Sequence, residues 1–142
     1  MRIQPRTYAL TAVTHQRLRI FQKTTMAELM IETLFRYRDT NKFQLHGFVI
    51  MPDHLHTLLT PTESIEKSAQ LIKGGFSFAI RTQHAGPIWQ DDYHEHRIRD
   101  AEDFRNQLLY IATNPIRRQY EAYSHVHTNY TTRLDPPPPH LI

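Results

Sequence analysis

The stretch KFQLHGFVIMPDHLHTLLTP, residues 42–61, decides the fold. Two apolar runs, 42–51 and 54–61, flank Pro52-Asp53. Both runs have strand length, and Pro-Asp is turn chemistry. A two-residue connection of this kind joins neighbouring antiparallel strands, so a hairpin is expected. One feature of it is foreign to folding: His54 and His56 stand where Val or Ile would serve the core better. Residues i and i+2 of a strand share a face, so the two imidazoles lie side by side. That is ligand spacing for a metal ion; the other reading is a pair of histidines on a solvated face. The same spacing recurs at His94-Glu95-His96 and His125-Val126-His127, so spacing alone does not choose. Context favours the first pair, which follows a turn inside an apolar hairpin and is expected on a central strand with rigid support. The second pair lies among the charges of DDYHEHRIRD, and the third lies near the tail.

The rest of the chain fits around this hairpin. TYALTAVTH (7–15) reads as a strand. Residues 24–41 read as a helix, with Thr25 and Glu28 in capping-box spacing and Ala27, Met30, Leu34 and Tyr37 at helical period. A second helix is expected over 64–83, with Gly74-Gly75 in its middle. A fourth strand falls near 93–98, and Asp100 then caps a third helix over 101–113. Asn114 and Pro115 suit the cap and first position of a further helical turn. The order β-α-β-β-α-β followed by a helix is a ferredoxin-like α+β layout with an antiparallel sheet. That fold hosts many functions. Residues 1–123 are expected to form one domain, and 124–142 a Pro-rich extended tail.

Composition narrows the class. With 142 residues, 39% hydrophobic and 22% charged, the chain can build a real core. The absence of cysteine excludes disulfides and thiolate metal sites. The N-terminus lacks an apolar signal-type run and no apolar run approaches the ~20 residues of a membrane span, so a cytoplasmic protein is expected. Net charge is +3, and thirteen of the seventeen basic residues are arginine, the side chain that pairs bidentately with phosphate and stacks on bases.

Four blocks in order, GFVIMPDHLHTLLTP, IKGGFS, IWQDDYHEHRIRD and LLYIATNPIRR, carry a resemblance. Together they resemble the HUH single-tyrosine transposases of the insertion-sequence type, and within them the REP-associated tyrosine transposases, over roughly residues 5 to 120. The resemblance implies cleavage of single-stranded DNA beside a hairpin, with strand transfer through a covalent 5′-phosphotyrosine. It implies Tyr110 as nucleophile and Mg2+ or Mn2+ held by His54, His56 and a third polar side chain. It also implies a protein that is a monomer or homodimer and nucleoid-associated when on DNA. Asn114, four residues after Tyr110, shares its helix face and offers a hard oxygen; its reading as a helix cap stands beside that as a ligand. Arg81, Arg97, Arg99, Arg117 and Arg118 are candidates for phosphate contacts. Gly74 and Gly75 suit either close DNA approach or helix packing, and Trp89 either a base-stacking platform or the core. Two rival functions are weighed. A non-catalytic single-strand-binding module would carry aromatics on its central strands, where this chain has histidines. A small zinc hydrolase would need a carboxylate base beside its histidines, and none is evident.

Overall fold

The computed structural model describes residues 5–117, 126–127 and 133–142. In chain order the elements are β1 (Tyr8–Val13), α1 (Thr24–Asp39), β2 (Phe43–Met51), β3 (His54–Pro61), α2 (Ile65–Ala79), β4 (His94–Arg97), α3 (Ala101–Arg117) and β5 (Val126–His127). The sheet order is β4-β1-β3-β2-β5, and every neighbouring pair is antiparallel. The expected hairpin is present, with Met51 opposite His54 and Ile50 opposite Leu55. β1 and β3 are central, as the ferredoxin-like reading requires, and β5 extends the sheet beyond β2. Among the described residues no helix is long and apolar enough to cross a membrane.

Strand alternation sorts the side chains into two cores. Leu10, Phe48, Ile50, Leu55 and Leu59 pack with Met30 and Leu34 of α1 and Ile72 and Phe76 of α2. Ala9, Val49, Met51 and Leu58 pack on the other side with Phe104 and Ile111 of α3. The sheet is therefore sandwiched between α1 and α2 on one face and α3 on the other. His54 and His56 alternate with Leu55, which places them on the α3 face.

Helix ends follow local chemistry in part. The Ser64 hydroxyl accepts the Lys67 N–H and caps α2, and the Asp100 carboxylate accepts the Asp103 N–H and caps α3. The expected capping box at Thr25 and Glu28 does not form: α1 begins at Thr24, its N-cap is Lys23, and no side chain caps it. The expected break at Asn114-Pro115 is also corrected, because α3 runs on through Arg117. A proline inside a helix costs ~3 kcal/mol in isolation. Here Ile111 and Asn114 are fully buried on the inner side of α3, and that packing sustains the helical path past Pro115. Asn114 is thus no helix start.

Residues 133–142 are docked on the domain. Leu134 enters the first core and Leu141 the second. The Asp135 carboxylate accepts hydrogen bonds from Arg38 Nε and Nη2 at 3.2 and 2.9 Å and from the Leu45 N–H at 2.8 Å. The Asp135 N–H donates in turn to the Leu45 carbonyl at 2.8 Å.

Gly75 lies where α2 crosses α1. A Cβ there would stand 2.6 Å from Tyr37 Oη and 2.7 Å from its ring, so the missing side chain permits helix packing. Gly75→Ala is expected to lower stability: overpacking costs about 1–3 kcal/mol, against a gain of about 1 kcal/mol in helix propensity. In a Tyr37→Ala background the same change should stabilise. Urea unfolding of the four proteins measures both, and a stabilising Gly75→Ala in the parent would show that Tyr37 swings aside freely.

Candidate active site

The turn that carries His54 is pinned from outside the hairpin. The Thr14 N–H and hydroxyl both donate to the Asp53 carbonyl at 3.0 Å, and the Phe21 N–H donates to the Pro52 carbonyl at 3.0 Å. The Asp53 carboxylate then works on both sides. One oxygen lies 2.8 Å from His54 Nδ1 and the other 3.2 Å from an Arg17 guanidinium nitrogen. Burial alone would raise the Asp53 carboxyl; the hydrogen bonds from His54 and Arg17 overcome that and hold it below its ordinary range. A carboxylate can only accept, so His54 Nδ1 carries the hydrogen and Nε2 carries the lone pair.

His56 is fixed from β1. Thr11 lies opposite it in the sheet, and the Thr11 hydroxyl is 2.7 Å from His56 Nδ1. His56 Nε2 is buried and has no hydrogen-bond partner among the described residues. Burial first and the neighbouring His54 second lower the His56 imidazole to about 4, with Gln107 opposing both from α3. Both rings therefore use Nδ1 within the protein, the kind of contact by which outer groups orient metal-binding histidines.

α3 brings Tyr110 to this pair. The Tyr110 ring lies edge-on to His56, with centroids 5.2 Å apart. Tyr110, His54 and His56 line one cavity of about 630 Å3 together with Gln107, Arg17 and His94. A larger cleft of about 950 Å3 has Glu63, Glu66 and Glu95 in its lining, a poor surface for phosphate. Asn114 follows Tyr110 by one turn and is buried; among the described residues neither its amide oxygen nor its amide nitrogen has a partner. It is not among the residues that line the cavity. Among the described residues no group of three or more His, Cys, Asp or Glu is placed to hold a metal.

The remaining candidates scatter. Arg97 and Arg99 are exposed at β4 and just after it, and Arg99 Nε is 3.8 Å from Asp103. Arg81 follows α2, in the layer opposite α3, with its guanidinium 3.8 Å above the Phe78 ring. Arg117 is the last residue of α3, and Arg118 and His125 lie outside the described residues. Gly74 is open and lines a groove with Lys73, Trp89 and Tyr93. Trp89 is half-buried, packs against Phe21 and Phe76, and donates its indole N–H to the Lys73 carbonyl at 3.0 Å. Asp53, Thr11 and Gln107 were not singled out by sequence reasoning. Asp53 reads as a turn residue and Thr11 as strand filler; only the register assigns them to the histidines.

The family model described as "Transposase IS200 like" matches residues 4–114. The chain belongs to that family. Its relatives include the REP-associated tyrosine transposase of Escherichia coli K12, 27% identical over 97 residues that make up 66% of this chain and 57% of the relative. A Haemophilus influenzae protein named for the same group is 30% identical over 115 residues, 69% of this chain and 65% of its own length. The IS200-like chain thus spans about three-fifths of the curated relatives it matches. Its fold is that of a REP-associated tyrosine transposase solved bound to a REP hairpin, with TM-score 0.75, 18% identity, and coverage of 96% of this chain and 94% of that one. A transposase structure from Deinococcus radiodurans gives TM-score 0.60 and 21% identity, covering 80% and 92%.

His56 also gives the IS200-like chain an acid weakness. In the metal-free folded protein His56 takes a proton only near about pH 4, whereas an unfolded histidine does so near ~6.5. Its contribution to stability is therefore complete above pH ~6.5 and lost as pH falls towards the folded value, worth on the order of 3 kcal/mol. His46, lowered by burial, acts in the same direction. His56→Leu should flatten this fall, measured by urea unfolding at neutral and acidic pH in metal-free buffer. An unchanged pH dependence would move the effect to another group.

Proposed function

We propose that this protein cleaves and rejoins single-stranded DNA next to hairpin elements, through a covalent bond between Tyr110 and the 5′ phosphate. The observation that carries the reading is the Tyr110 ring set against His56 in a cavity that both histidines line. The donor set fits a hard divalent cation, Mg2+ or Mn2+. The buried side-chain polar atoms without a partner among the described residues are His56 Nε2 and the two amide atoms of Asn114. Leaving such groups unpaired costs about 1–3 kcal/mol each, and a cation would relieve that cost at the nitrogen and at the amide oxygen. His54, His56 and Asn114 are the residues that would hold it, and bound there it would draw charge from the scissile phosphate.

The chain's own residues do the rest. Asp53 and Thr11 fix the two imidazoles through their Nδ1 atoms. α3 aims Tyr110 at the space beside them, so attacker and phosphate meet with little left to order. Arg17, Arg97 and Arg99 neutralise the backbone of the strand, with Arg117 and Arg118 as further candidates. Bond energy is retained in the phosphotyrosine, so rejoining needs no nucleotide cofactor. Related proteins bear the name of REP-associated tyrosine transposases, and one was solved on a REP hairpin; both support hairpin DNA as the partner class here.

The test is incubation with Mg2+ or Mn2+ and hairpin-bearing single strands taken from the flanks of its own gene, followed by a denaturing gel. A protein–DNA adduct that depends on the metal is the expected result. Tight hairpin binding without any adduct would favour a non-catalytic binding module instead.

A further inference from the structure

The reaction proposed above moves a proton as well as a phosphoryl group. Tyr110 loses its phenolic hydrogen, and the 3′-oxygen that departs must gain one. His54 and His56 are committed elsewhere, because each Nδ1 is hydrogen-bonded within the protein and each Nε2 faces a different task. The cavity has another pair of histidines. Its floor is β1, one wall is α3 with Tyr110, and the opposite wall is β4 with His94 and His96.

The sheet register makes this placement definite. His94 lies opposite Thr11, and Thr11 lies opposite His56. The three residues form one row across β4, β1 and β3, on the face that α3 covers. Neighbouring strands are roughly 4.8 Å apart, so the His94 backbone is roughly 10 Å from that of His56, room for one phosphodiester between the two walls. Attack and departure at phosphorus are roughly in line. With Tyr110 on the α3 wall, the departing oxygen is directed to the β4 wall.

The charged and titratable groups that face this space can be compared. Arg17 is paired with Asp53 at 3.2 Å, and a guanidinium does not release its proton. Glu95 also borders the cavity, but its side chain alternates to the other face of β4. His96 is tied through Nε2 to both oxygens of Asp103, at 3.0 and 2.9 Å. His94 is exposed, and its imidazole makes no hydrogen bond among the described residues. We propose that His94 is the general acid that protonates the departing 3′-oxygen, and the base that takes that proton back when the 3′-hydroxyl attacks during rejoining.

The step balances. The bond between Tyr110 Oη and phosphorus forms as the bond from phosphorus to the 3′-oxygen breaks. The phenolic proton passes to solvent, and the His94 imidazolium gives its proton to the 3′-oxygen and ends neutral. This inference rests on the Tyr110 reading, and its test separates the two. The substrate is made in two forms, one ordinary and one with sulfur in place of the scissile 3′-oxygen, since a thiolate departs without protonation. In Mn2+ buffer His94→Ala should cut the oxygen substrate about 100-fold more slowly or worse, bind hairpin DNA as the parent does, and cut the sulfur substrate at the parental rate. His94→Gln, which keeps a polar side chain of similar bulk, should behave in the same way. Equal slowing on both substrates, or parental rates on both, overturns the assignment of His94. A parent protein that forms no adduct with either substrate overturns the Tyr110 reading itself.

Discussion

Tyr110→Phe is expected to abolish the covalent adduct and strand cleavage together, while hairpin affinity and thermal stability stay close to the parent. The substitution keeps the ring that packs edge-on to His56 at 5.2 Å and removes only the attacking oxygen. Tyr110 is half-buried at the cavity wall, and phenylalanine keeps the packing of its ring there. A phenol is a weak nucleophile while it holds its proton. Its reactivity here comes from position and from charge withdrawn from the phosphate, and a phenylalanine can use neither. The measurement is a denaturing gel with end-labelled hairpin single strands, paired with a binding assay on the same samples. An adduct that survives in Tyr110→Phe would assign the nucleophile to another tyrosine, with Tyr93 and Tyr120 the first to replace.

His54→Ala combined with His56→Ala should remove specific Mn2+ binding, read by calorimetry or by the electron paramagnetic resonance of free Mn2+, without DNA in the tube. The two imidazoles are the nitrogen ligands the fold offers at this place, and each is oriented by a partner 2.7–2.8 Å from its Nδ1. Asp53→Ala leaves both rings but frees His54 to turn; loss of such an outer group typically weakens metal affinity about 10–100-fold. Asn114→Leu should also weaken binding, with the added effect of removing two unpaired polar atoms from the interior. That variant is expected to be at least as stable as the parent in metal-free buffer, because an unpartnered buried amide is a cost that leucine lacks. Mn2+ affinity equal to the parent in the double histidine variant would place the metal elsewhere.

Much of the fold could be read from local pattern. The hairpin at 42–61 follows from two strand-length apolar runs around Pro-Asp, and strand alternation then puts His54 and His56 on one face whatever the rest of the chain does. The stripe of Ala69, Ile72, Phe76 and Ile80 lies on the buried side of α2 as its period demands. The histidine pair stands out by its strand spacing and apolar context, and Tyr110 only by the family resemblance. Where local chemistry was ambiguous, it misled. Asn114-Pro115 reads as a helix start, but the helix continues because Ile111 and Asn114 are already buried against the sheet. Thr25 and Glu28 have capping spacing, but the helix starts two residues too early for them to cap it.

The amino-acid sequence by itself determined the element order from β1 to α3, the antiparallel hairpin and the same-face pair of imidazoles, because turn chemistry and the two-residue period of a strand act over a few neighbouring residues. Only the tertiary structure decided which nitrogen each imidazole presents, since Thr11 and Asp53 reach His56 and His54 through the packing of β1 and the pinned turn. It alone gave Gly75 to Tyr37, docked Asp135 on Arg38, and set His94 in a row with His56 across an intervening strand. These contacts join residues tens of positions apart, and their geometry is set by strand register and helix packing, which no local stretch of chain encodes.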